Sequence, residues 1–496
     1  MASICTSNLT SGFIDLATYD EQERYLYGSD AQAFTYFVRE HHKATWFTQV
    51  PVVLSRASGT PDFNGSNNDW AVTISRAGDY LLQTWLRCTL PKLTPVSGVW
   101  ARWTNNVGHN LIKECCITFN DLVAARFDNY HLDFWAAFTL PQSKYDGYQN
   151  MIGNVDVLVQ PAAASLTKTS LPEYTLNVPL PFFFSRDTGV ALPTAALPYN
   201  DMRINFSFRN WDDLLTVYTA VPSTTGRKAT VDDFSNITAA PNLKNVCVWA
   251  NYAIVANDER KKMACAARDI LIEQVQTAPI ASYTPRTNSQ PSYDIRFSHA
   301  IKSLYFAVRN RTTHGEWSNY TTRQLELVAP GTIETQNAAT DPIKNASLIY
   351  ENTQRLYQMG ADYYSYVQPW YTAPRIPTET GYHLYSYSLD LYCLDPMGST
   401  NYGKLTNVSI IPEASDDAKD SGNVQNFDFI VTAVNNNIIR IAGGTLGWVL
   451  FVLMNLCIII NLQKNLVPKT GGCHTSYDYT CMDKHCNNRQ SIISCM

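Results

Sequence analysis

Apolar and polar residues alternate at every second position in many short segments of this chain. In WAVTISRAGDYLLQTWLRCTL (residues 70–90), Trp70, Val72 and Ile74 fall on one face, a turn is expected at 76–79, and a second strand follows it. A period of two is typical of half-buried β-strands. The same pattern predicts strands in YFVREHHKATWFTQVPVVL (36–54), CITFNDL (116–122), DMRINFSF (201–208), VCVWANYAIV (246–255), YDIRFSHAIKSLYFAVRN (293–310), YHLYSYSLDLY (382–392), LTNVSII (405–411) and FDFIVTAVNNNIIRI (427–441).

Helical periodicity is clear in two segments. DNYHLDFWAAF (128–138) places three apolar residues about one turn apart. NDERKKMACAARDILIEQVQ (257–276) predicts a longer amphipathic helix that Asn257 or Asp258 would cap. Its apolar stripe consists of Met263, Ala267, Ile270, Leu271 and Val275.

Many short strands separated by turn-rich segments favour β-sandwiches or jelly rolls. The chain has 496 residues, which exceeds the usual size of a single core, and the 257–276 helix falls near its middle. We therefore expect an all-β protein of two β-domains joined by one helix.

Composition adds an expectation about contacts. Charged residues make up only 16% of the chain, whereas aromatic residues reach 12%. This balance fits extensive protein–protein contact, and it equally fits an all-β fold, which also favours aromatic residues. The net charge is -5 and no basic run occurs, so we expect no direct contact with nucleic acid. The first twenty residues lack the features of a secretory signal, so none is expected.

Candidate chemistry is sparse. The chain has no phosphate-binding glycine loop, no HExxH motif and no GxSxG motif, and seven cysteines are scattered irregularly before residue 447. His41 and His42 are adjacent on a predicted strand and would point to opposite faces, so they cannot share a metal from that strand. We therefore predict free thiols, no enzymatic activity, no catalytic or metal-binding residue and no cofactor.

The segment PLPFFFSRDTGVALP (179–193) is the most distinctive in the chain. Prolines cannot donate to a strand ladder, so they restrict this strand to an edge or a corner. Three consecutive phenylalanines on an extended chain would point alternately to two sides, both of which must be covered. We interpret the segment as a packed joint in which Arg186 and Asp187 bond to each other or to turn backbone. The joint residues are Pro179, Pro181, Phe182, Phe183, Phe184, Arg186, Asp187, Pro193 and Pro198.

Eight Asn-x-Ser/Thr sequons occur along the chain. Because no secretory signal is recognised, chance matches in a Thr- and Asn-rich β-protein are the simplest interpretation. The candidate glycosylation positions are Asn64, Asn236, Asn310, Asn319 and Asn345.

Long stretches of the chain carry a family resemblance that covers roughly residues 8–447. They include YFVREHHKATWFTQVPV (36–52), FNDLVAARFDNYHLDFWAAFT (119–139), PLPFFFSRDTGVALPTAALPYNDMRINF (179–206), DIRFSHAIKSLYFAVRN (294–310), DPMGSTNYGKLTNVSI (395–410) and AVNNNIIRIAGG (433–444). The sequence closely resembles the major capsid proteins of large icosahedral DNA viruses, in particular those of invertebrate iridoviruses.

The resemblance implies a double jelly roll, two tandem sandwiches, and homotrimeric pseudo-hexagonal capsomers in an icosahedral virion shell. It implies assembly in the host cytoplasm, contacts with neighbouring capsomers and minor capsid proteins, and an internal viral membrane beneath the shell. Long loops at 221–245 and 311–342 are expected on the outer face. An assembly scaffold of the same fold and a carbohydrate-binding β-protein remain alternatives. The expected domains are an N-terminal arm (1–14), a first jelly roll (15–256), a helical linker (257–278), a second jelly roll (279–447) and a tail (448–496).

The tail departs from the family pattern. LGWVLFVLMNLCIIINL (446–462) is apolar but, at about 25 Å as a helix, slightly short of a roughly 30 Å hydrocarbon core. It is compatible with a membrane anchor, or with translation in a shifted frame. The four residues of a conceivable zinc site match no common finger spacing and are Cys473, Cys481, His485 and Cys486.

Overall fold

A computed structural model of the chain forms two compact units, Met1–Trp46 and Phe47–Met496. The structure describes residues 2–28, 33–39, 41–65, 68–166, 168–219, 226–329, 332–335, 339–420, 422, 424–442 and 445–448. The conceivable zinc site and almost all of the apolar tail segment lie outside the described residues. No helix among the described residues has the length and apolar character needed to cross a membrane.

The described residues of the N-terminal unit include two helices, α1 (Ala2–Ala17) and α2 (Glu21–Leu26). Asp20 and Glu23 form a reciprocal capping box at the start of α2, which supplies partners for the free amides of its first turn. The expected boundary at residue 14 falls inside α1. The strand predicted from residue 36 begins only at Phe47, and residues 41–46, which include His41 and His42, have no regular secondary structure.

The first half of the second unit, residues 47–255, is built from antiparallel strands. Two sheets have the orders β1-β11-β4-β8 and β2-β3-β9-β6-β7, and β5 pairs with β10. The strands are β1 (Phe47–Val53), β2 (Ser55–Gly59), β3 (Asp69–Thr73), β4 (Tyr80–Leu90), β5 (Trp100–Trp103), β6 (Ile112–Phe119), β7 (Leu122–Asp128), β8 (Tyr174–Pro179), β9 (Met202–Phe208), β10 (Leu215–Tyr218) and β11 (Lys244–Val255).

The predicted alternation is visible in β9, where every second side chain from Met202 to Phe208 is buried. One core cluster takes Leu86 and Val248 from the first sheet and Ile117 and Ile204 from the second. A shared core between two antiparallel sheets defines a sandwich. The two strands predicted in 70–90 are present as β3 and β4, and they belong to different sheets.

The second half, residues 268–448, has the same construction. One sheet has the order β12-β23-β15-β20, with β13 and β24 on β23 and β21 on β15; a second has the order β14-β22-β18-β19, and β16 pairs with β17. The strands are β12 (Arg268–Thr277), β13 (Ala281–Tyr283), β14 (Tyr293–Asp294), β15 (Ala300–Asn310), β16 (Leu325–Ala329), β17 (Thr332–Thr335), β18 (Ile343–Tyr350), β19 (Thr353–Gly360), β20 (His383–Ser386), β21 (Thr400–Asn401), β22 (Val408–Ala414), β23 (Phe427–Ala442) and β24 (Thr445–Trp448).

Short helices connect the strands. The α-helices of the second unit are α3 (Val107–Leu111), α4 (Asn129–Thr139), α5 (Gln142–Ile152), α6 (Asp156–Val159), α7 (Asn257–Cys265) and α8 (Gln368–Thr372). A π-helix spans Tyr363–Val367, and 3-10 helices span Phe183–Ser185, Thr188–Val190, Thr194–Ala196, Trp211–Asp213, Val231–Asp233 and Asp417–Lys419.

Helix α4 confirms the helix predicted at 128–138. The Asp128 side chain caps it by accepting a hydrogen bond of 2.9 Å from the His131 amide. Phe134 and Phe138 of α4 pack with Tyr305 and Tyr382 of the second half in a separate apolar cluster. The helix is therefore buried between the two halves.

The helix predicted over 257–276 is wrong beyond Cys265. Helix α7 ends there, its N-cap position is Ala256 rather than Asn257 or Asp258, and Arg268–Thr277 forms strand β12. That strand pairs with Thr432–Ile441 of β23 at every residue. A complete ladder with a 16-residue strand satisfies the backbone of this segment, and its β-branched Ile270, Ile272 and Val275 suit a strand better than a helix.

Candidate functional site

The predicted joint follows β8, which lies at the edge of its sheet as expected from Pro179. Phe182 is extended and a 3-10 helix begins at Phe183, so the phenylalanines do not alternate as on a strand. All three side chains are at most 3% exposed and belong to the core of the first half. Their rings contact one another and Phe127, with 5.0 Å between the Phe127 and Phe182 centroids and 5.4 Å between those of Phe183 and Phe184.

Arg186 bonds to the second half of the molecule instead of to Asp187. Its guanidinium donates to the Glu273 carboxylate at 2.6 Å and to the Tyr392 carbonyl at 3.1 Å. Glu273 also accepts a 2.7 Å hydrogen bond from the buried Lys302 ammonium. Of the two partners expected for Arg186, Asp187 is wrong, because the buried Glu273 carboxylate accepts from Arg186 and Asp187 is exposed. A backbone carbonyl does take part, but it belongs to Tyr392 of the second half.

The remaining prolines of the joint have different surroundings. Pro179 and Pro181 are partly buried, Pro193 is buried, and Pro198 is exposed. Between the last two, the Thr194 hydroxyl donates to the Gly78 carbonyl at 2.7 Å. The joint is thus bonded to the turn that precedes β4.

A second connection between the halves is made by residues 311–324, which we call the crossing loop. Glu316 on this loop and Arg102 on β5 form a salt bridge of 2.5 Å in which both side chains are at most 6% exposed. The indole N–H of Trp317 donates to the Asp213 carbonyl at 2.8 Å. Most of the crossing loop is buried, so this part of the segment expected on the outer face does not face solvent.

A buried carboxylate anchors the same loop. Asp133 of α4 accepts hydrogen bonds from Ser318 at 2.7 Å and from Tyr320 at 2.8 Å, and its other oxygen lies 2.7 Å from His109 Nδ1. His109 Nε2 lies 2.6 Å from the Tyr148 hydroxyl. Burial and the nearby Asp133 charge raise the pKa values of Tyr320 and Tyr148 well above their usual range.

The Asp133 cluster contains Ser, His and Asp but lacks the geometry of a hydrolase. The Ser318 hydroxyl donates to Asp133 rather than to His109, and both residues are buried. A nucleophile needs its base within hydrogen-bond reach and access to substrate. The cluster instead satisfies the buried polar groups that hold the crossing loop to α4.

The sequons divide by exposure. Asn64 and Asn236 are exposed, and Asn345 is partly buried. Asn310 and Asn319 are at most 4% exposed, and their side-chain amides already donate to carbonyl oxygens of the crossing loop. A glycan on either amide would replace those buried hydrogen bonds, so these two positions are incompatible with glycosylation of the folded chain.

Comparison with protein families covers both halves. Residues 35–255 match the family described as "Major capsid protein N-terminus", and residues 259–447 match "Large eukaryotic DNA virus major capsid protein". The chain belongs to the major capsid protein family of large eukaryotic DNA viruses. The resemblance noted in the sequence is confirmed.

Individual relatives have similar length. The major capsid protein of Tipula iridescent virus is 58% identical over 459 residues, which covers 89% of this chain and 98% of the relative. The major capsid protein of Invertebrate iridescent virus 6 is also 58% identical, over 468 residues that cover 90% of this chain and 99% of the relative. The match to lymphocystis disease virus 1 is 47% identical over 466 residues.

Solved structures confirm the fold class. The PBCV-1 virus capsid subunit aligns with a TM-score of 0.63 at 20% identity and covers 84% of this chain and 99% of that one. The Faustovirus major capsid protein aligns with a TM-score of 0.62 at 14% identity. The alignment covers 89% of this chain and 99% of the Faustovirus chain. The all-β double jelly roll with a few short helices is the fold of this major capsid family member.

The crossing loop was missed as a site by sequence reasoning. Glu316 and Ser318 of this loop bond to Arg102 and Asp133. Both partners lie more than 180 residues earlier in the chain. A usable signal was present in HGEWSNYTT (314–322), a loop-like segment with two large aromatic residues and one charge. Trp and Tyr bury large areas when they pack, so two of them in one loop favour a packed loop over a solvated one.

Proposed function

We propose that this protein is the main structural subunit of an icosahedral virion shell and that it assembles as a homotrimer. The observation that supports this most directly is family membership over both jelly rolls. Two similar sandwiches per chain give three copies six similar sides, which suits a pseudo-hexagonal capsomer. The buried Arg102–Glu316 pair and the partly buried Arg186–Glu273 pair connect the two sandwiches within each copy.

The proposed shell subunit has two jelly rolls, a structural joint and several partners in the virion. We assign the first jelly roll to about 15–256, with strands from Phe47, and the second to 268–447 instead of 279–447, because β12 (Arg268–Thr277) pairs with β23. The segment from Pro179 to Pro198 acts as a structural joint. Neighbouring capsomers, minor capsid proteins and an internal membrane are the proposed partners, assembly takes place in the host cytoplasm, and the protein acts without catalysis or nucleic-acid contact.

The oligomeric state tests this proposal. Native mass spectrometry of the purified full chain should give three copies of the 55.8 kDa subunit, and electron microscopy should show pseudo-hexagonal particles. A stable monomer that binds glycans would favour a carbohydrate-binding protein instead. Absence from purified mature particles, despite trimer formation, would favour an assembly scaffold.

A further inference from the structure

A cavity of about 350 Å³ lies between the two halves near the crossing loop. Lys113, Arg126 and Arg209 line it from the first half, and Arg309 and Trp317 line it from the second. Its volume is near the lower end of small-molecule sites, which span roughly 300–1,000 Å³. An occupant would touch both jelly rolls at once.

At the floor of the cavity, two arginine guanidinium groups contact the same indole ring, that of Trp317. The guanidinium carbons of Arg209 and Arg309 lie 3.4 and 3.9 Å from the Trp317 ring centroid. Burial, together with the charge of Arg309, lowers the pKa of Arg209 to about 10. Two like charges are therefore held near each other in a poorly solvated place.

Arg309 has spare donor capacity. It is 9% exposed, and it donates to the Tyr130 hydroxyl at 3.1 Å and to the Glu316 carbonyl at 3.4 Å. Its buried Nε–H has no hydrogen-bond partner among the described residues. The two terminal nitrogens of Arg309 carry four N–H groups, of which the bonds to Tyr130 and Glu316 use two, so donors remain for an acceptor in the cavity.

The mouth of the cavity adds two exposed basic side chains, Lys113 and Arg126. Within the described part of the chain, neither of them forms a salt bridge, and the same holds for Arg209 and Arg309. The acidic lining residues are Glu114 and Asp128, and Asp128 is occupied as the cap of α4. Basic groups therefore outnumber acidic groups around the space.

We propose that this cavity binds a small phosphate-bearing anion that links the two jelly rolls. Arginine N–H groups match phosphate oxygens in geometry and charge, and a space of about 350 Å³ is large enough for a pyrophosphate-sized anion. This site is separate from the proposed shell function, since binding by an isolated subunit does not depend on trimer formation.

Thermal unfolding of the purified full chain tests the site. Sodium pyrophosphate should raise the unfolding midpoint progressively with concentration, beyond sodium chloride at equal ionic strength, because a ligand that binds only the folded state stabilises it. A shift equal to that given by sodium chloride would overturn the proposal. An equal shift from a single-stranded DNA oligonucleotide would overturn it as well, because it would indicate a general polyanion effect.

Variants at the mouth locate the binding without disturbing the fold. Lys113→Gln with Arg126→Gln should weaken pyrophosphate binding by about tenfold or more, since two charge-assisted contacts are lost. Arg286→Gln with Lys404→Gln removes the same charge from exposed positions outside the cavity lining and should leave affinity unchanged. Equal affinity in the two double variants would place the binding elsewhere and reject the site.

The role of Arg309 is tested by Arg309→Lys, which keeps the charge but replaces the guanidinium fork with an ammonium. We expect this variant, if folded, to bind several-fold more weakly than the parent, because a guanidinium fork contacts phosphate better than an ammonium. A folded variant with undiminished pyrophosphate affinity would contradict the role given to Arg309.

Discussion

At the residue scale, the joint depends on aromatic side chains that pack in a turn. Phe183 is 3% exposed and meets the Phe184 ring in an edge-on contact. Their burial fixes the place from which Arg186 reaches Glu273. A defect among these rings is therefore expected to affect both the first core and the connection to the second half.

Phe183→Ser should cause misfolding or failed trimerisation. Removing a buried phenylalanine costs about 3–5 kcal/mol, and the serine adds a polar group without a partner. Soluble yield and native mass measure the outcome. Tyr199→Ser, at a 75% exposed position just beyond the joint, is the matched control and should remain trimeric. Soluble, trimeric Phe183→Ser protein would count against the joint.

His131 gives a prediction for acid stability. Burial, with a smaller contribution from the Arg186 charge, lowers its pKa from 6.5 to about 3. As pH falls below 6.5 the unfolded chain takes up a proton that the folded chain refuses, so stability is lost at up to ~1.4 kcal/mol per pH unit until about pH 3.

His131→Leu should therefore reduce the loss of stability between pH 6 and pH 4. Urea unfolding at several pH values would show a slope smaller by about 1 kcal/mol per pH unit. His42→Leu, at an exposed position, should leave the slope unchanged. An unaltered slope in His131→Leu would mean that this histidine is not held neutral in the fold.

At the element scale, the segment after Cys265 illustrates competition between local and tertiary preferences. The residues from 257 to 276 fit an amphipathic helix, yet β12 pairs at every residue with β23. Helical periodicity counts only side-chain positions, whereas the ladder satisfies backbone groups as well. The partner groups lie on β23, far along the chain, and no local pattern contains that information.

Ile272→Ala distinguishes the strand from the predicted helix. Ile272 is outside the predicted helical stripe but is 1% exposed in β12, so its truncation should cost about 2–5 kcal/mol. Ile438→Ala, on the paired strand and 42% exposed, should cost less than about 1 kcal/mol. Urea midpoints of both variants give the comparison. Similar small losses in the two would contradict the burial of Ile272.

At the scale of the whole molecule, polar groups as well as apolar ones connect the two sandwiches. Arg102–Glu316, Arg186–Glu273 and the Asp133 cluster all bridge residues of different halves. Buried ion pairs add little net stability by themselves, but removing one partner leaves the other charge buried and unpaired. Because these contacts and the apolar cluster around Phe134 and Tyr305 need both halves in place, we expect the halves to unfold together.

Trp317→Ala should separate the unfolding transitions of the two halves. The variant loses the indole that contacts two arginines and donates to Asp213, and we expect a loss of about 3 kcal/mol with a second, earlier transition in calorimetry. Trp370→Ala, 70% exposed in the second half, should keep the parent profile. A single unshifted transition in Trp317→Ala would show that the crossing loop does not couple the halves.

The sequence by itself determined the strand-rich fold, helix α4 and the family. Period-two alternation, as in β9, reports which face of a strand is buried, and the Asp128 cap is a local signal at the helix start. Only the tertiary structure decided the partner of Arg186, the strand after Cys265 and the burial of the crossing loop. Each of these depends on which distant groups supply a hydrogen bond or a charge, and spacing along a chain does not encode contacts that the folded sheets create.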